Sequence, residues 1–187
     1  MGTPGVPTVV DVFAADEQST QPIDLDRWAT LAREVLRARG VKGTAEVSLL
    51  FVDEETIGAL NEQFLGRLGP TDVLAFPIED DPGPSGRSPD LGGTGPGSDA
   101  VGEPLLLLGD VVICPAVAAR NAATNEVPLE DELALLIVHG LLHLLGMDHE
   151  EEVEAERMEK LERRLLARFH RTRGPDGSAA LGHGPPA

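Results

Sequence analysis

The sequence predicts one domain that mixes short strands with helices, and three observations predict it. Runs of Val, Ile and Leu, notably 45–52 and 105–114, alternate along the chain with segments of helical periodicity. A length of 187 residues with 41% apolar content suffices for one buried core. The stretch 132–150, ELALLIVHGLLHLLGMDHE, is apolar on nearly every side before Gly146, as a helix enclosed by the rest of the domain must be.

Taken in order, residues 1–8 carry Pro4 and Pro7 and read as a loose N-terminus ahead of a single domain over 9–171. Val9–Ala14 is a short strand candidate. Over Asp24–Arg39, Leu25, Trp28, Ala29, Ala32, Val35 and Leu36 form one helical stripe, with Arg27, Arg33 and Arg37 opposite. Ala45–Val52 is a strand that turns Ala45, Val47, Leu49 and Phe51 to one side. Asp53 is placed to cap a helix over Glu54–Phe64. A turn at Gly69-Pro70 leads into a strand that Pro77 stops. Residues 79–103 are rich in Gly, Pro, Ser and Asp and read as a mobile loop insertion. Leu105–Cys114 is the best central strand, and Asp110 inside it would need partners if buried. Pro115 opens a helix to about Asn125. After the histidine-bearing helix, Glu151–Arg168 is amphipathic, with Val153, Met158, Leu161, Leu165 and Leu166 as candidate core residues. Acids come early in it and arginines late, which suits the helix dipole. Residues 172–187 read as a flexible C-terminal tail.

Charge narrows the function. A formal net charge of −17 repels polyphosphates at long range, so a generic nucleic-acid binder is excluded and any RNA contact must be local. No DNA partner is expected. Cys114 is the single cysteine, which suits a reducing compartment. The N-terminal MGTPGVPTVV lacks a charged leader followed by an apolar run, and no apolar stretch reaches the ~18 residues of a membrane span, so a cytoplasmic protein is expected.

The chemistry concentrates at His139, His143 and His149. His139 and His143 are four apart, so a helix puts both imidazoles on one face. Gly146 ends that helix and lets His149 fold back towards them. Three neutral imidazoles with one open position form a catalytic zinc arrangement; iron, nickel or copper would also accept such a set. The spacing fits the H-E-x-x-H-x-x-G-x-x-H pattern of metzincin proteases except at Gly140, where the protease carries its general-base Glu. The metal site survives this comparison and peptide hydrolysis does not.

Three stretches together resemble one family. His139–His149 is similar to the H-G-x-x-H-L-x-G-x-D-H motif of the YbeY-type endoribonucleases, the rRNA maturation factors of bacteria. Pro70–Pro77 resembles that family's P-T-D-V-L-S-F-P block, and Leu108–Ile113 its L-G-D-[IV]-x-I strand. The likeness covers about 9–168. It implies a small α+β fold with a short mixed sheet against helices, the metzincin-like helix included, and one zinc ion per chain on His139, His143 and His149. It also implies cleavage of single-stranded RNA, with a role in maturing the 3′ end of small-subunit ribosomal RNA and in ribosome quality control. Implied partners are the small ribosomal subunit and assembly factors such as a GTPase. The family often places an arginine after the aromatic that follows its L-N motif; here that position is Leu65, and Arg67 lies two residues on.

With glycine at position 140 the general base must come from elsewhere. Asp148 and Glu150 are the nearest acids, and Asp148 suits equally a role in orienting a ligand histidine. Arg67 and Arg120 are candidates for phosphate contact. A second class of function stays open: a zinc-stabilised ribosome-assembly factor that cuts nothing and uses its acidic surface on protein partners.

Overall fold

A computed structural model describes residues 9–78, 105–147 and 151–170. The expectations for the N-terminus, the 79–103 loop and the 172–187 tail, and those for Asp148, His149 and Glu150, lie outside the described residues.

The chain forms a four-stranded mixed sheet and five helices, an α+β domain as expected. Strand β1 (Val9–Asp16) leads through helix α1 (Leu25–Ala38) into β2 (Thr44–Phe51). Helix α2 (Glu54–Leu65) and strand β3 (Val73–Pro77) follow, then β4 (Leu106–Ile113) and helices α3 (Pro115–Asn125), α4 (Leu129–Leu144) and α5 (Glu152–Phe169). Spatially the order is β1-β2-β4-β3. The first three of these run parallel, and β3 is an antiparallel edge strand. The β1–α1–β2 passage is the helical crossover that a parallel pair requires.

Alternation along the strands divides the core in two. Leu49 and Phe51 of β2, and Val111 and Ile113 of β4, face the large cluster built with α1, α4 and α5. Leu50 and Val52, and Val112 and Cys114, face a smaller cluster that Ile57 and Leu60 of α2 complete on the other side. The local signals read from sequence are in place. Asp53 accepts the Thr56 N–H at 2.8 Å, and Asp24 caps α1 in the same way through Arg27 N–H at 3.1 Å. Pro115 stands at the start of α3.

The run 105–114 does supply a central strand, and three details add to the sequence reading. Leu105–Leu107 are each about two-fifths exposed, because β3 pairs with β4 only from Gly109 onward and leaves the strand's first residues uncovered. Asp110 is half-buried and shares a surface groove with Arg33, Glu46 and Ser48. Val153 is exposed, and Glu162 takes a place on the buried stripe of α5 beside Met158 and Leu165.

One glycine is required by geometry in this sheet. The β2–β4 register jumps from Glu46↔Leu107 to Val47↔Gly109, so Leu108 is the extra residue of a bulge. Gly109 there has φ +124°, and a Cβ on it would collide with the carbonyl oxygen of Phe76. The L-G-D stretch is therefore shaped by strand packing. Among the described residues no helix is long and apolar enough to cross a membrane.

Candidate functional site

Helix α4 runs through the middle of the domain, and Leu133, Ala134, Ile137, Val138, Leu141 and Leu142 are buried around it. It ends as the sequence predicts. Gly146, at φ +78°, donates to the carbonyl of His143 at 2.9 Å, and Met147 donates to Leu142 at 3.0 Å. These two bonds define a Schellman termination, which turns the chain sharply just past His143.

His139 and His143 leave one face of this helix, as their spacing requires. Their rings meet edge to face with centroids 4.5 Å apart, and the two Nε2 atoms are 3.0 Å apart. Two imidazole nitrogens bound at ~2.0–2.1 Å to one tetrahedral zinc stand roughly 3.3 Å apart, so the pair already has the spacing of two ligands. Among the described residues no three His, Cys, Asp or Glu side chains gather into a metal-holding group. The expected third ligand, His149, lies outside those residues.

The ring of His139 is held from behind. Its Nδ1 is 2.8 Å from Oε1 of Glu162 on α5, a carboxylate only 7% exposed. The carboxylate accepts, so Nδ1 carries the proton and Nε2 turns its lone pair towards His143. This carboxylate–imidazole arrangement is the usual support of a metal-binding histidine. Asp148, the acid expected from sequence to orient a ligand ring, lies outside the described residues, and Glu162 is an addition to the sequence reading. A signal was present: Glu162 falls four residues after Met158 and three before Leu165, an acid inside an apolar helical stripe.

The histidine pair opens into a cleft of about 610 Å³. Val73–Pro77 of β3, Phe64 and Leu65 at the end of α2, and Gly140, Gly146 and Met147 complete the lining. Since Val73 and Ala75 pack on one side of the sheet and Leu74 and Phe76 on the other, the cleft straddles the sheet's edge strand.

The candidate arginines fare differently. Arg67 is exposed in the segment after α2 and is not among the residues lining the cleft. Arg120 makes a two-pronged contact with Glu54, at 2.6 and 3.1 Å, which joins α3 to the start of α2. That hydrogen-bonded contact holds the Glu54 carboxyl below the usual range, and it gives Arg120 a structural use.

The motifs around the cleft also hold it in shape. Asn61 is buried and donates to the Gly69 carbonyl at 2.9 Å, which pins the segment leading to β3. Asp72 accepts from its neighbour Val73 and, through its other oxygen, from Asn121 of α3 at 3.0 Å. A Cβ built on Gly140 would stand 2.6 Å from Cγ1 of Val111, which is fully buried in β4. The position where a metzincin carries its Glu is here the point of closest approach between helix and sheet. No general base fits there without moving Val111.

Known proteins resemble this chain over most of its length. Residues 13–170 match the family described as Endoribonuclease YbeY. Curated relatives of that description include one from Salinispora tropica, 45% identical over 83% of this chain and 94% of the relative. Another, from Thermobifida fusca, is 43% identical over 83% of this chain and 92% of its own length. The solution structure of a Thermotoga maritima protein superposes with a TM-score of 0.51 at 22% identity, covering 85% of this chain and 91% of that one, and supports the fold.

Proposed function

The chain belongs to the Endoribonuclease YbeY family, and from that premise we propose that it is a zinc-dependent endoribonuclease acting on single-stranded RNA. The observation that carries the metal is the His139–His143 pair, with Nε2 atoms 3.0 Å apart and one ring braced by Glu162. His139, His143 and His149 would hold one zinc ion. When bound, zinc supplies a Lewis acid for the phosphoryl oxygen and lowers the pKa of a water in its open position towards ~7. The chain's own part is to set this site. Glu162 keeps the proton of His139 on Nδ1, the cleft beside β3 admits the strand, and Gly140 lets the helix that carries both histidines lie close against Val111 of the sheet. Asp148 is the candidate to position a proton or a ligand ring, and Arg67 the candidate to contact phosphate.

In the cell this activity would serve maturation of the 3′ end of small-subunit ribosomal RNA and ribosome quality control in the cytoplasm, in contact with the small subunit and its assembly factors. The net charge of −17 favours one competing reading, a zinc-stabilised assembly factor that meets proteins and cuts nothing.

Metal content by elemental analysis, measured on the wild type and on His139→Ala with both assayed on one single-stranded RNA, separates these. About one zinc per chain, with metal and cleavage both lost in the variant, is the expected result. Zinc present in a wild type that leaves RNA intact, yet binds small ribosomal subunits, would establish the assembly factor instead.

A further inference from the structure

The cleft has an aromatic pair that the metal chemistry does not use. Phe64, on the last turn of α2, is 56% exposed, a large apolar ring left facing solvent. Phe76 of edge strand β3 lies against it, with ring centroids 5.0 Å apart and planes tilted by 60°. Both rings line the cleft that holds His139 and His143. Leu65 beside them is also more than half exposed, and the neighbouring Leu68 is 85% exposed.

A single exposed ring says little, since Phe13 is 65% exposed elsewhere, but Phe64, Leu65 and Leu68 together put a run of exposed apolar side chains beside the cleft, and such patches mark binding surfaces. None of the described residues that line the cleft is a lysine or arginine. With a net charge of −17 behind it, and no cationic side chain among those described lining residues, the cleft attracts a polyanion weakly beyond what a bound metal would supply. An unpaired nucleobase, by contrast, has a large flat π face that stacks on an aromatic side chain whatever the ionic strength. A base in a duplex already spends both faces on its neighbours and cannot offer one without unstacking.

We infer that Phe64, backed by Phe76, is a base-stacking subsite that anchors an unpaired nucleobase beside the histidine pair, and that this stacking, with at most one phosphate contact beside it, holds the RNA here. The inference rests on the ribonuclease reading and deepens it: the enzyme selects single strands because only they present a base to Phe64.

The test is the steady-state kinetics of the zinc-loaded wild type, Phe64→Ala and Phe64→Trp on a short single-stranded RNA across a salt series, with zinc content measured on each. Phe64→Ala should raise KM about 10-fold or more with kcat little changed, and Phe64→Trp should restore it. Zinc content should be equal in all three. In the wild type, log(1/KM) should fall with log salt with a slope no steeper than about −0.7, the value for a single phosphate contact on a single strand. A wild-type KM in Phe64→Ala, or a slope steeper than about −2, would overturn the inference while leaving the nuclease standing. A wild type that neither binds nor cleaves RNA would overturn both.

Discussion

Helices α4 and α5 are joined by two histidine–carboxylate pairs with the roles exchanged. Near the middle of α4, His139 gives its Nδ1 to Glu162 of α5 at 2.8 Å. At the start of α4, Asp131 meets Nε2 of His170, at the end of α5, at 2.7 Å. The bonds are nearly identical, and the difference lies in what else each ring meets. His139 turns its remaining nitrogen to His143 at the wall of an open cleft. His170 has a side chain only 8% exposed and stacks on Trp28 with centroids 6.2 Å apart, while Arg27 covers the same indole and pairs with Glu130 at 2.6 Å. One pair leaves a ring nitrogen facing a second histidine at an open cleft, and the other packs against the indole of Trp28. A histidine–carboxylate bond alone therefore says little about function; the surroundings of the second ring nitrogen decide it.

Breaking each pair should show the contrast. Glu162→Gln should weaken zinc binding about 10- to 100-fold, measured by competition with a chelator, because the amide orients the ring less firmly and raises its basicity less. Unchanged affinity in that variant would make Glu162 a packing residue. His170→Ala should instead leave zinc at its wild-type content and cost about 2 kcal/mol of stability in denaturant unfolding, through the lost stacking and a carboxylate left without its imidazole.

Gly140 sharpens the same comparison on the sheet side of α4. Gly140→Ala should destabilise by about 1 kcal/mol, the overpacking against Val111 outweighing the better helix propensity of alanine. A stabilised variant would show that helix and sheet have slack there.

The smallest effect belongs to Glu132, one residue beyond Asp131 and buried without an imidazole. Burial first, and the negative charge of Asp72 second, push its carboxyl above the usual range. A carboxyl raised in the fold favours folding while protonated and loses that contribution as pH rises from about 4, the unfolded value, through the folded one. Glu132→Gln should therefore raise the melting temperature slightly near neutral pH, and the gain should vanish in acid. An equal gain at both would point to packing.

Much of this was legible in the chain. The strands read over 45–52 and 105–114 show in the apolar runs, the cap of α2 in Asp53, and the end of α4 in Gly146. These are local effects, set by the φ preferences and hydrogen bonds of neighbouring residues. The His139–His143 pair was legible for the same reason, since four residues on a helix bring two side chains to one face.

The sequence by itself thus determined the elements, the histidine pair and the family. Only the tertiary structure decided which acid supports His139, since Glu162 lies 23 residues away and reaches it through the packing of α5 on α4. It likewise decided that Arg120 is taken by Glu54, 66 residues distant, and that Gly140 is a contact with Val111. It set Phe64 of α2 and Phe76 of β3, both lining one cleft, within ring contact. Spacing along a helix or strand is written in the backbone repeat, whereas the partner across an interface is chosen by how whole elements dock.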